Sequence, residues 1–271
     1  YSELLLLSAQ IRKNLKKYST RKILIVTDDS FEFVATLFAC WSLKCIPVIA
    51  PDKLPHTIKQ LEDVVACIVS NSFNESTGKL RLLWKDCEET EPIKPFFIDS
   101  TTSAFELFTS GTTGIRKSIP KTFRQISNEL NVLEMLWGEK IEDRISIGTV
   151  SHQHIYGLLF RLLWPLCRGT PFASRASFYW EEIISNVNLS LCFIISSPTH
   201  LNHFSSFHDY ITKNNEGKKL VLFSSGGPLN NAVSIDILKS FGCAPIEVYG
   251  STETGGIAYR QQTSEKDQAW N

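Results

Sequence analysis

The sequence has no surplus of charge of either sign: 28 Lys and Arg balance 28 Asp and Glu over 271 residues. A protein that binds nucleic acid through phosphate contacts needs a basic excess, so that class is disfavoured, although a local phosphate site is not. Long hydrophobic runs are also missing. The longest apolar stretches, 33–43 and 156–167 (the second broken by Arg161), fall short of the ~18–20 residues that a membrane-spanning helix needs. The leucines at 4–7 have no basic segment before them and no small-residue cleavage site after them, so they do not read as a signal peptide. The seven cysteines (Cys40, Cys45, Cys67, Cys87, Cys167, Cys192 and Cys243) include no Cys-x-x-Cys pair. Odd in number, scattered and mostly set in apolar runs, they read as reduced thiols in a cytoplasmic compartment. No Gly-x-Ser-x-Gly elbow occurs, which disfavours serine-hydrolase chemistry. Oligomeric state is not legible in the pattern.

What is present is a rhythm of short apolar strands and amphipathic segments. Residues 22–27 (KILIVT), 46–50 and 66–70 read as buried strands, with helices at 31–43 and 55–63 between them. This β-α-β-α-β order predicts a parallel sheet covered by helices. An acidic and then proline-bearing stretch, 87–102, reads as a linker. The alternation then resumes: strands at 105–109, 144–150, 191–196, 220–224 and 245–249, and helices at 123–137, 155–167, from Pro198, and at 229–241. The expected fold is α/β, with parallel sheets in two lobes of one domain, 1–96 and 97–271.

The most informative segment is FTSGTTGIRKS, residues 108–118, a strand that runs into a Gly-, Ser- and Thr-rich loop closed by a lysine. Glycines let backbone N–H groups approach a phosphate chain. Thr109, Ser110, Thr112 and Thr113 offer hydroxyls, and Lys117 offers a point charge. A plain Ser/Thr-rich turn is the weaker explanation. A Walker loop requires glycine immediately before the lysine, and Arg116 stands there.

The run Thr109-Ser110-Gly111-Thr112-Thr113-Gly114, followed by Lys117, resembles the nucleotide loop of the adenylate-forming superfamily of acyl- and aryl-CoA synthetases, luciferases and adenylation domains. Three further segments follow in that family's order. His154-Ile155-Tyr156-Gly157 is similar to its His-x-x-Gly segment. Ser225-Gly226-Gly227-Pro228 is similar to its small-residue loop. Tyr249-Gly250-Ser251-Thr252-Glu253 is similar to its Tyr-Gly-x-Thr-Glu signature. Two departures are visible: Arg116 and Ser118 flank Lys117 where proline and glycine are usual, and Ser225 stands where glycine is common.

The resemblance implies an AMP-forming ligase that activates a carboxylic acid with ATP and Mg²⁺ and passes the acyl group to a thiol, on CoA or on the phosphopantetheine of an acyl carrier protein. It assigns Lys117, His154, Thr252 and Glu253 to catalysis, with Glu253 on the metal. It assigns the 109–114 loop, Ser225, Gly226, Gly227, Pro228, Tyr249, Gly250 and Ser251 to the nucleotide. Each residue also has a plainer reading: Glu253 as a solvated strand-end carboxylate, Tyr249 as a core aromatic, the glycines as turn formers. His152 precedes His154 in a His-x-His pattern, too weak alone for a metal site, and is expected as a neighbour only. His200 and His203 read as structural or surface residues.

The family's later Thr-Gly-Asp segment, hinge and lid lysine do not appear before Asn271, so the resemblance implies the large N-terminal part of a ligase. A chain of that extent is expected to bind ATP weakly and turn over poorly. The segments 151–158, 223–229 and 250–258 resemble ligases of bacterial aryl-polyene and pigment pathways, which implies a fatty or aromatic acid. The alternative is a degenerate nucleotide-binding module with a regulatory or scaffold role.

Overall fold

The structure, a computed structural model, describes residues 1–70, 81–82, 91–109, 117–186, 188, 191–207, 220–264 and 269–271. The chain divides into two units, Tyr1–Ser127 and Asn128–Asn271.

In the first unit, α1 (Ser2–Leu15) precedes β1 (Lys22–Val26), α2 (Ser30–Ser42), β2 (Ile46–Ile49), α3 (Pro55–Glu62) and β3 (Cys67–Ser70). With β4 (Arg81–Leu82), β5 (Ser103–Thr109) and β6 (Lys117–Thr122), the described strands form one sheet in the order β4-β3-β1-β2-β5-β6. The central β1 pairs in parallel with β2 and β3, setting Leu24 opposite Val48 and Ile68. A parallel strand covered on both faces has no solvent side, which is why KILIV is an unbroken apolar run. One face packs Leu24, Val26, Val48 and Ile68 against Ile58 and Leu61 of α3.

Asp29 starts α2: its Oδ1 accepts from the N–H groups of Phe31 (2.9 Å) and Glu32 (3.1 Å). Asp29→Ala removes this cap and is expected to lower stability by about 1 kcal/mol. The loss should appear as a lower urea midpoint at unchanged slope.

The second unit begins within α4 (Phe123–Trp137). It continues through β7 (Ile145–Gly148), α5 (Ile155–Gly157), a π-helical segment at Leu158–Leu163, and α6 (Trp164–Arg168). Next come α7 (Trp180–Asn186), β8 (Cys192–Ser196), α8 (Pro198–Leu201) and β9 (Val221–Ser224). The unit closes with α9 (Asn231–Phe241), β10 (Ile246–Ser251) and β11 (Gly255–Arg260). Its described strands run in the order β11-β10-β9-β8-β7. Ile147, Ile194 and Leu222 pack on one side against Trp180, Leu201 and Ile237. Elsewhere in the unit an aromatic cluster forms, in which the Trp137 ring lies 5.2 Å from those of Phe223 and Tyr259.

Two expectations need correction. Both sheets are mixed rather than wholly parallel, because β6 pairs antiparallel with β5 and β11 antiparallel with β10. The boundary falls at 127/128 rather than 96/97, because β5 and β6 join the first sheet through β2. Residues 117–122 form a strand that the pattern did not suggest, opened by Lys117; KSIPKT lacks an apolar run, and its Pro120 is tolerated because β6 lies at a sheet edge among the described strands. Of the expected linker, residues 91–102 carry no helix or strand and 87–90 lie outside the described residues. No helix among the described residues is long and apolar enough to cross a membrane.

Candidate functional site

Ligands of α/β sheets collect at the carboxyl ends of parallel strands. In the second unit those ends carry hydroxyls: Thr149 Oγ1 and Ser196 Oγ lie 2.9 Å apart. Beyond β9, Ser225 donates from Oγ to the Val248 carbonyl at 2.8 Å, which holds the 225–229 loop to β10. Gly226 has φ +89°, a left-handed conformation that favours glycine. Gly226, Gly227 and Pro228 are exposed.

The signature segment is a hairpin. Tyr249 pairs with Ala258, Gly250 with Gly256, and Ser251 with Gly255, with an irregularity at Tyr249/Gly250. Thr254 closes the turn: its N–H donates to Ser251 Oγ, and its Oγ1 accepts from the Ser251 N–H, both at 3.2 Å. Thr252 is half-buried and Glu253 exposed at the tip. The Tyr249 ring is exposed on one side and lies 5.7 Å from the Trp270 ring. The exposed carboxylate of Glu253 suits Mg²⁺, which is bound by one or two carboxylates together with substrate phosphates rather than by a full protein cage. Among the described residues no group of three or more His, Cys, Asp or Glu is arranged to hold a metal ion.

His154 is exposed and precedes α5, its carbonyl accepting from the Leu158 N–H at 2.8 Å. His152 is instead fully buried, with Nδ1 3.1 Å from Nη2 of Arg161. A guanidinium only donates, so Nδ1 accepts and the neutral ring carries its proton on Nε2. Arg161, buried in the π-helical segment, also donates to the Ala173 carbonyl at 3.2 Å, and its own carbonyl accepts from Ser146 Oγ at 2.8 Å. Burial pushes its pKa down to about 10. This pair ties the segment before His154 to β7. Gly157 is required by space, since a Cβ there would collide with the Ser151 carbonyl.

Two cavities open beside the hairpin. The larger, about 270 Å³, is walled by Val132, Leu133, Leu136 and Trp137 of α4, with Phe160 and Tyr259. The smaller, about 50 Å³, lies against Tyr156, Ser225 and Gly250. Burial pushes the Tyr156 phenol well above the usual tyrosine range, so it stays neutral there.

In the first unit, Thr109 and Lys117 face each other across β5 and β6, Thr109 half-buried and Lys117 exposed. Ser110, Gly111, Thr112, Thr113 and Gly114, with Arg116, lie outside the described residues. Beside Lys117, Ser118 donates from Oγ to Glu106 Oε2 at 2.8 Å, and Glu106 Oε1 meets Lys22 Nζ of β1 at 2.8 Å.

Sequence reasoning missed Glu106 and Glu247. Glu247 is 2% exposed on β10. Its Oε1 accepts from Arg260 Nε (3.0 Å) and Gln262 Nε2 (2.6 Å), and its Oε2 from the Leu229 N–H (3.1 Å). It thereby joins the 225–229 loop to both strands of the hairpin. The available signal was a single charge inside an apolar strand, in SAFELFT and in IEVYG.

The AMP-binding enzyme family matches residues 1–270. The medium-chain-fatty-acid–[acyl-carrier-protein] ligase JamA of Moorena producens (strain JHB) is 29% identical over 212 residues, covering 68% of this chain and 36% of JamA. The medium/long-chain-fatty-acid–[acyl-carrier-protein] ligase FadD10 of Mycobacterium tuberculosis (strain CDC 1551 / Oshkosh) is 23% identical, covering 93% of this chain and 51% of FadD10. The chain thus spans about a third to a half of these relatives. Apo MatB from Rhodopseudomonas palustris shares the fold, with a TM-score of 0.82 at 16% identity, covering 99% of this chain and 57% of MatB. With a family match across nearly its whole length, the chain belongs to the AMP-binding enzymes.

Proposed function

We propose that this chain is the nucleotide- and acid-binding part of an AMP-forming ligase. Its substrate is a carboxylic acid with an apolar tail, fatty or aromatic. The acid attacks the α-phosphate of ATP, giving acyl-AMP and pyrophosphate, and the acyl group then moves to a thiol. One observation carries the reading: the 225–229 loop and the Tyr249–Gly255 hairpin sit at adjacent strand ends against a small cavity of about 50 Å³, and an apolar cavity of about 270 Å³ follows along Gly256–Tyr259. That volume is near the lower end of small-molecule sites, roughly 300–1,000 Å³, which favours a medium-length acid. The names of JamA and FadD10 favour a carrier-protein thiol over CoA.

No protein nucleophile is needed, so the side chains act by position and charge. Lys117 and the 109–114 loop neutralise phosphate charge, Thr252 donates to the α-phosphate, Tyr249 stacks on adenine, and His154 lies near the acid's carboxylate. Glu253 would hold Mg²⁺, which would supply charge neutralisation on the phosphates. The test is ATP–pyrophosphate exchange by the natural full-length protein with a panel of fatty and aromatic acids; a panel in which no acid stimulates exchange overturns the reading. Glu253→Ala is expected to weaken Mg²⁺-dependent ATP binding at least ~10-fold by calorimetry, the scale of losing one charge-assisted ligand. Unchanged binding removes Glu253 from the metal site.

A further inference from the structure

Helix α4 buries Ile126, Leu133 and Trp137, the spacing of a single apolar stripe. Glu129 stands on that stripe, three residues after Ile126 and four before Leu133. Pattern alone calls for an apolar side chain there, because a half-buried carboxylate is costly unless it is bonded. Glu129 is bonded: its Oε2 accepts from the Gly256 N–H of β11 at 3.1 Å. The hairpin makes room for it. Gly255 has φ +76°, and a Cβ there would collide with Glu129 Oε1. The carboxylate is therefore held in one place, and that place borders both the 270 Å³ cavity and the smaller one. None of the described residues lining either cavity is Lys, Arg or His, so no fixed cation there offsets the charge.

We propose that Glu129 is a specificity-determining residue that filters substrates by charge. It sets a negative charge where the two cavities meet, so the site takes monocarboxylic acids with uncharged tails and rejects acids that carry a second carboxylate. The proposal rests on the reading of these cavities as the acid site. The repulsion is Coulombic between like charges, and a half-buried setting screens it less than water does. A purely structural Glu129 would hold the hairpin equally well against either acid.

The experiment compares binding of octanoate and octanedioate to the 271-residue chain by competition with a fluorescent fatty acid, for the parent and for Glu129→Gln. Glutamine keeps an oxygen to accept from Gly256 but carries no charge. The expected result is that the parent prefers octanoate, that E129Q narrows the preference at least ~10-fold by gaining octanedioate, and that added salt narrows it in the parent but not in E129Q. If octanoate binds and E129Q leaves the preference unchanged, the filter is overturned and the acid site stands. If neither acid competes with the probe in either protein, the filter and the acid-site reading fall together. If E129Q loses octanoate binding and thermal stability in parallel, Glu129 is a strut of the hairpin and the filter is overturned.

Discussion

Replacing Glu247 with alanine is expected to lower the stability of the chain by about 3–5 kcal/mol, the scale of removing one partner from a buried ion pair. Glu247 is 2% exposed, and the Arg260 side chain that pairs with it is 15% exposed. Three donors converge on the carboxylate: the Arg260 guanidinium, the Gln262 amide and the Leu229 N–H. Alanine leaves all three facing a void at a site with little access to water. The Arg260 guanidinium, which also lies 4.5 Å from the centre of the Trp270 ring, loses its anion. Thermal unfolding should shift down by roughly 10 °C, given about 2–4 °C per kcal/mol for domains of this size. Glu247→Gln keeps an acceptor and is expected to lose less, about 1–2 kcal/mol. If both variants melt with the parent, the network is not the joint between loop and hairpin.

Gly250→Ala is expected to abolish most ATP binding, by a factor of at least ~10, while destabilising the chain by about 1–3 kcal/mol, the usual range for overpacking. A Cβ at position 250 would run into the Gly255 carbonyl oxygen across the hairpin. That oxygen is backbone and cannot rotate away. Relief requires opening the pairs Gly250–Gly256 and Ser251–Gly255, which moves Tyr249 and Thr252 together. The proposed adenine and phosphate contacts would then lose their register. Gly227→Ala is the control for stability: its Cβ would meet nothing closer than Pro198 Cγ at 3.9 Å. Calorimetric titration with ATP and a denaturant melt on both variants separate the two outcomes.

The charges that organise the two units were the hardest features to read in advance. Glu106, Arg161 and Glu247 each look like an isolated polar residue in an apolar run, and Glu129 like one more polar residue of SNELN; neither pattern says anything of the partner. Lys22 lies 84 residues from Glu106, and Gly256 lies 127 residues from Glu129. The edge strands β6 and β11 were missed for a related reason. One carries Pro120 and the other opens on two glycines, so neither shows the apolar run that marks a covered strand. The expected 96/97 boundary followed composition, whereas the sheet follows hydrogen bonds, and β5 pairs backwards to β2.

The alternation of buried strands and helices, the loop at 225–229, the signature segment at 249–255 and the family were legible in the residues alone, whereas the pairing of that segment into a hairpin was not. The legible features are local: a strand's burial is written in its own apolar run, and a turn's backbone demand is written in its own glycines. Only the packed fold decides which carboxylates are clamped, that His152 is a strut on Arg161, and that Glu129 borders the apolar cavity. Those outcomes depend on donors brought in from distant strands, because a buried charge persists only where the fold delivers its partner.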